Sequence, residues 1–156
     1  MNVAIIGAGA AGLMSASYIR DDVDIHIFDH NEKIGKKLFI TGKGRCNITN
    51  SCEVENLIEN INTNKYFCYS PFYDFSNEQV INFFNENGLM TKIERGNRVF
   101  PKSDKSSDVI KVFEKLLKNK GVNLHLNEEV KKIYNSNKFY ISTSKNEYVF
   151  DKVIIA

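Results

Sequence analysis

The sequence predicts a doubly wound α/β fold of the Rossmann type, with a parallel sheet, a crossover β-meander and additional helices. Three observations carry that expectation. The apolar run Asn2–Ile6 opens directly onto Gly7-Ala8-Gly9-Ala10-Ala11-Gly12, a G-x-G-x-x-G placed between a strand and a helix. A second apolar run ends on Asp29, seventeen positions after Gly12. Late in the chain, short alternating segments lead into a third apolar run, Asp151-Lys152-Val153-Ile154-Ile155-Ala156.

Asn2–Ile6 is too brief for a helix and ends on glycine, as a buried parallel strand does. Ala10–Arg20 supplies Ala, Leu and Met for a helix, and Asp24–Asp29, with Ile25, Ile27 and Phe28, supplies the second strand of a βαβ unit. His30–Ser51 is polar and glycine-bearing without a sustained period, so it reads as a long loop, and a loop of that length inside a compact domain is commonly functional. Glu53–Asn87 reads as mostly helical. Its clearest segment starts at Ser76, where Ser76 and Gln79 have capping-box spacing ahead of Val80, Ile81, Phe83 and Phe84, and Gly88 is the stop. A further helix is expected over Ser107–Asn119, closed by Gly121, followed by a buried strand at Val122–Leu126. Glu129–Tyr134, Lys138–Thr143 and Glu147–Phe150, separated by Asn-Ser-Asn and Ser-Lys-Asn turns, form the meander. The final run reads as another buried strand.

Composition narrows the function. With 21 Lys+Arg against 19 Asp+Glu, the formal net charge is +2, which leaves no basic footprint for a phosphate polymer, so nucleic acid is not expected as a partner. No apolar run reaches the roughly 20 residues that span a bilayer, and no basic leader precedes Asn2, so a cytoplasmic protein without membrane contact is expected. Cys46, Cys52 and Cys68 are odd in number and lack C-x-x-C spacing, which suits free thiols; with only three histidines besides, no metal site is expected. A chain ending inside a hydrophobic strand reads as the N-terminal part of a larger protein, and that exposed strand is expected to favour self-association.

The chemistry lies in the glycines, the acid after them and the loop beyond it. Gly7 permits the tight turn, Gly9 lets backbone approach a pyrophosphate, and Gly12 lets the helix pack on its strand. The phosphates would then sit on the free N–H groups and positive dipole end of that helix, at Ala10 and Ala11. A carboxylate at Asp29 can accept both hydroxyl protons of an adenosine ribose and would repel a 2′-phosphate, which leaves FAD or NAD. The segment Gly35–Asn50 favours FAD: flexible backbone at Gly42 and Gly44, the planar fork of Arg45 and the amides of Asn47 and Asn50 suit a cofactor with a second polar ring system.

The stretch Lys37-Leu-Phe-Ile-Thr-Gly-Lys-Gly-Arg-Cys-Asn-Ile-Thr-Asn50 closely resembles the signature of the HI0933-like (BaiN/YhiN-type) flavoproteins, bacterial NAD(P)/FAD-dependent oxidoreductases. Arg98-Val-Phe-Pro-Lys-Ser-Asp-Lys-Ser-Ser-Asp-Val109 resembles the family's segment before its second large helix. The resemblance implies that residues 1–156 are the N-terminal part of a split FAD domain, completed by a C-terminal segment beyond an inserted domain, and that the whole protein transfers hydride through flavin with NAD(P)H as a possible reductant. The residues expected to hold the cofactor are Gly7, Gly9, Ala10, Ala11 and Gly12, then Asp29 with His30, then Lys36, Lys37, Thr41, Gly42, Gly44, Arg45, Cys46 and Asn47, and finally Val130, where related folds bind adenine through backbone groups. No residue is assigned a catalytic role. Two rival readings stay open: an NAD domain without flavin, and a piece that folds but holds no cofactor. One position departs from the family, whose signature has three consecutive glycines where this chain has Lys43 in the middle. A left-handed conformation there would cost about 1 kcal/mol.

Overall fold

The computed structural model describes residues 1–156. The chain divides into two units, Met1–Leu38 with Phe113–Ala156, and Phe39–Val112.

The first unit is built on a four-stranded sheet of β1 (Asn2–Ile6), β2 (Asp24–Phe28), β6 (Asn123–His125) and β10 (Lys152–Ile155), in the order β10-β1-β2-β6. Every pair in it is parallel. Alternation gives each strand two faces. On one face Ala4 and Phe28 meet Ile141 and Phe150 of a meander formed by β7 (Val130–Asn135), β8 (Phe139–Thr143) and β9 (Glu147–Phe150), with Val130, Ile133, Tyr148 and Val153 packed around them. On the other, Val3, Ile5, Ile25 and Ile27 are buried, and α1 (Ala10–Tyr18) lies against β1 through Gly12, Leu13 and Ala16. The chain therefore moves from β1 to β2 in one direction and from β1 to β10 in the other, which makes the gap between β1 and β10 a topological switch point.

Two strands that read as buried runs have one neighbour each within residues 1–156. β6 pairs only with β2, and its residues Asn123 and Leu124 are exposed; β10 pairs only with β1, and Ile155 is 77% exposed. An apolar run reports strand propensity, but whether it lies at the centre or edge depends on how many neighbours the topology supplies.

The second unit contains α3 (Val54–Glu59), a 3₁₀ turn at Lys65–Cys68, α4 (Tyr69–Asp74), α5 (Asn77–Glu86) and a small antiparallel sheet of β3 (Thr49–Asn50), β5 (Arg98–Pro101) and β4 (Thr91–Glu94). The α5 capping box forms as the spacing predicts: Gln79 N–H donates to Ser76 Oγ, and Ser76 N–H donates to the Gln79 side chain. The extended piece at Arg98–Pro101 is half of a hairpin, turned by Gly96 and Asn97 at positive φ. Two helices cross the unit boundary. α6 (Ser106–Asn119) starts one residue before the expected position and is closed by Gly121 at φ +66°. α2 (Lys36–Gly44) occupies part of the segment that reads as loop, but Thr41, Gly42 and Lys43 are not helical, so its regular part is shorter than one amphipathic period needs to be visible. No helix is long and apolar enough to cross a membrane.

Candidate functional site

A pocket of about 390 Å³ opens at the carboxyl ends of β1 and β2, lined by the glycine turn, the end of β2, the start of α2 and the entry to the meander. It gathers Gly7, Gly9, Asp29, His30, Lys36, Lys37 and Val130 from the residues expected to hold the cofactor, and adds Ala8, Asn31, Glu128, Glu129 and Ala156. Ala10 and Ala11 are exposed at the first turn of α1, and Gly12 is buried one turn in.

The three glycines have separable reasons. Gly7 sits at φ +112°, and a Cβ there would lie 2.5 Å from the Ala156 carbonyl oxygen, so the switch point admits no side chain. A Cβ on Gly12 would lie 1.9 Å from the Gly7 carbonyl oxygen and 3.2 Å from Ile5 Cγ2, which makes this the close approach of helix to strand. Gly9 has an ordinary φ of −82°, and a Cβ there would meet no atom within 4 Å. It faces open space in front of the helix N-terminus, so neither local backbone nor packing calls for glycine there.

Asp29 is held by the loop after it and by the glycine turn. Its Oδ2 accepts from Ala8 N–H at 2.7 Å, and its Oδ1 accepts from the backbone N–H and the side-chain amide of Asn31, both at 2.8 Å. Burial opposes ionisation, but the N–H donors of Asn31 and Ala8 outweigh it and hold this carboxyl below the usual carboxylate range. Asp29 thus ties the glycine turn to the end of β2, a role that charge at the strand end alone does not reveal. Lys36 pairs with Glu32 at 3.2 Å, and the His30 imidazole lies 3.6 Å from Asp29 with most of its surface exposed.

Glu128 is a pocket residue that no sequence signal marks. Its side chain is nearly closed from solvent, and Oε1 accepts from Thr143 Oγ1 at 2.7 Å and Tyr148 OH at 2.9 Å. Burial opposes its charge, and the two hydroxyl donors more than compensate, so its pKa is lowered. Beside it, the His125 ring stacks on Phe28 with centroids 4.4 Å apart and meets His26, whose Nδ1 lies 2.8 Å from His125 Nε2. The partners of this cluster come from β2, β6, β8 and β9, and no local spacing signals their meeting.

Thr41, Gly42, Gly44, Arg45, Cys46 and Asn47 belong to the second unit. Gly42, Lys43 and Gly44 all adopt positive φ, at +57°, +58° and +84°, so the lysine takes a left-handed conformation like the glycines beside it. Cys46 shares it at +60°. The turn is tight: a Cβ on Gly42 would lie 2.9 Å from Asn47 N and 3.1 Å from the Phe100 ring. Arg45 braces it. Its guanidinium carbon lies 4.1 Å from the Phe100 ring centroid, while Nη1 donates to both Glu94 carboxylate oxygens, at 2.9 and 3.1 Å, and to Asp104 at 3.3 Å. Cys46 is fully buried and burial pushes its thiol pKa up, the opposite of what a redox thiolate needs.

Three comparisons bear on this geometry. The family described as HI0933-like protein Rossmann domain matches residues 1–156. A 3-dehydro-bile acid delta(4,6)-reductase of Clostridium scindens is 32% identical over 99% of this chain and 38% of its own length. A ribosomal RNA dihydrouridine synthase of Haemophilus influenzae is 27% identical over 97% of this chain and 39% of its own. This chain therefore spans about two fifths of the curated relatives it matches. Among solved structures, Thermovibrio ammonificans THI4 superposes with a TM-score of 0.63 at 12% identity, over 99% of this chain and 56% of that one, a likeness of fold.

Proposed function

Because the chain belongs to the HI0933-like family through its Rossmann domain, we propose that it is the FAD-binding portion of a flavin-dependent oxidoreductase. The observation that carries this reading is Gly9. Glycine is a favourable N-cap, and at Gly9 an ordinary backbone with empty side-chain space also leaves room for a group from outside the chain. A pyrophosphate at the N-terminus of α1 fits, since free N–H groups and the helix dipole face the same opening.

The donor set fits the rest of a dinucleotide. Asp29 stands at the ribose position, already ionised and oriented by Ala8 and Asn31. Lys37, with Lys36 paired to Glu32, lines the same pocket. Val130 offers backbone groups at the adenosine end. Bound flavin supplies a two-electron hydride equivalent; the residues of this chain bind and orient it. NAD(P)H is the proposed reductant.

The names of the two relatives suggest a substrate class for the whole protein. A delta(4,6)-reductase acting on a 3-oxo compound and a synthase of dihydrouridine both saturate a carbon–carbon double bond conjugated to a carbonyl.

The test is direct. Full-length protein should purify yellow or take up FAD stoichiometrically, and Gly9→Val should fold normally yet lose the flavin. A colourless protein that binds NADH but not FAD would establish the NAD-only reading instead, and Gly9→Val retaining flavin would remove the phosphate assignment.

A further inference from the structure

The segment 125–130, whose residues Glu128, Glu129 and Val130 form a pocket wall, is strapped to the end of β2 through backbone: Asp29 N–H donates to the His125 carbonyl, Glu128 N–H to the Asp29 carbonyl, and Asn127 N–H to the Asn31 carbonyl. What seats this strap from beneath is a pair of imidazoles. His26 and Phe28 lie on one face of β2, and His125, in register with Phe28, stacks on both rings, with centroids 5.1 Å from His26 and 4.4 Å from Phe28.

We propose that His26 and His125 are positioning residues for the nucleotide pocket, whose hydrogen bond holds the 125–130 wall in its binding geometry until the pair takes up a second proton. The inference rests on the reading of this pocket as the adenosine end of an FAD site. A Nδ1···Nε2 contact of 2.8 Å needs one N–H and one lone pair. Neutral and singly protonated pairs both satisfy it. A doubly protonated pair cannot, because two N–H groups would then face each other, and one ring must turn away.

The surroundings make that turn consequential. Asp24 of β2 faces His26 Nε2 at 3.2 Å, and Asn123 of β6 lies 3.3 Å from the same nitrogen. On the far side, Tyr148 OH of β9 lies 3.4 Å from His125 Nδ1 and Glu128 Oε2 lies 3.7 Å away. Lys145, in the turn before β9, adds positive charge, and Phe150 meets His26 edge-on. Burial, with the neighbouring His26, holds the His125 pKa below its ordinary value, so the neutral ring is the stable form near pH 7 and is lost on acidification. Glu128 stays ionised throughout that window, since its hydroxyl donors keep its own pKa lowered. With Glu128 drawing a protonated His125 and Asp24 a protonated His26, the second proton parts the two rings, and the contact that joins β6 to β2 beside the strap is lost.

The experiment measures FAD affinity of the full-length protein from pH 8 to pH 5, together with an NMR titration of its imidazole and amide signals without ligand. Below the second protonation the Kd should rise about tenfold per pH unit, the factor for one linked proton, and the Glu128 and Val130 amides should shift with the imidazole midpoint. His26→Gln, which can hydrogen-bond but not ionise, should flatten the affinity profile. The proposal is overturned if His26→Gln keeps the wild-type profile, or if those amides ignore the imidazole titration. Absence of FAD binding at pH 8 would refute the FAD reading alone, because the amide signals still decide whether the pair positions the wall.

Discussion

Gly9 and Gly12 look alike in the motif and should fail in opposite ways. At Gly12 a methyl group would sit 1.9 Å from the Gly7 carbonyl oxygen, and restoring an ordinary 3.4 Å contact requires 3.4 minus 1.9, or 1.5 Å, of separation. Neither partner gives way cheaply: the Gly7 backbone is fixed at φ +112° by the switch point, and α1 is held by Leu13 and Ala16, both fully buried. Gly12→Ala should therefore lift the helix and cost about 1–3 kcal/mol, the range for overpacking a filled interior. In a chain of this size that lowers the melting temperature by roughly 2–12 °C, at about 2–4 °C per kcal/mol. Gly9→Ala meets nothing within 4 Å; as an N-cap change from glycine to the poorer cap alanine it should cost at most about 1 kcal/mol. Its effect should fall on FAD affinity. Thermal unfolding of the two variants without ligand, followed by flavin titration of each, separates the cases. If Gly12→Ala melts with wild type, or Gly9→Ala loses as much stability as Gly12→Ala, the division into a packing glycine and a ligand-facing glycine is wrong.

Asp29→Asn should destabilise the unliganded protein by about 1–3 kcal/mol at pH 7, the scale of charge-assisted hydrogen bonds lost by Ala8 and Asn31. Because the folded carboxyl is held below its unfolded value, its contribution is present above the ordinary carboxylate pKa and disappears as pH falls through the lowered one. Denaturant melts of wild type and variant should thus converge in strong acid, and an undiminished gap between pH 7 and strong acid would contradict the assignment. Lys43→Gly, which returns the third glycine of the signature, should raise the urea midpoint by an amount corresponding to at most about 1 kcal/mol, since φ +58° strains any L side chain. A lowered midpoint would mean that the lysine side chain contributes more than its backbone costs.

The βαβ unit and the nucleotide turn are legible in the order of residues alone, because those features are local. A strand ending on Gly7, a helix opening at Ala10 and an acid at Asp29 are set by periodicity and by the rise of one helix, and the capping box at Ser76 and Gln79 by a three-residue spacing. The short α2 and the hairpin at Gly96–Asn97 are less legible, one because its helical stretch is brief and the other because a turn between two four-residue strands gives little pattern. Only the folded chain decides how many neighbours a strand has, since β6 and β10 read as apolar runs whether they have one neighbour or two. Folding likewise brings Glu128 under Thr143 and Tyr148, sets Arg45 between Phe100 and Glu94, and joins His26 to His125 across 99 residues of sequence. The histidine pair and Glu128 depend on strand order and on the meander folding back over the sheet, and the Arg45 brace depends on the hairpin that carries Glu94 and Phe100. Chain spacing carries no trace of these, because burial, hydrogen bonding and charge act through distance in space.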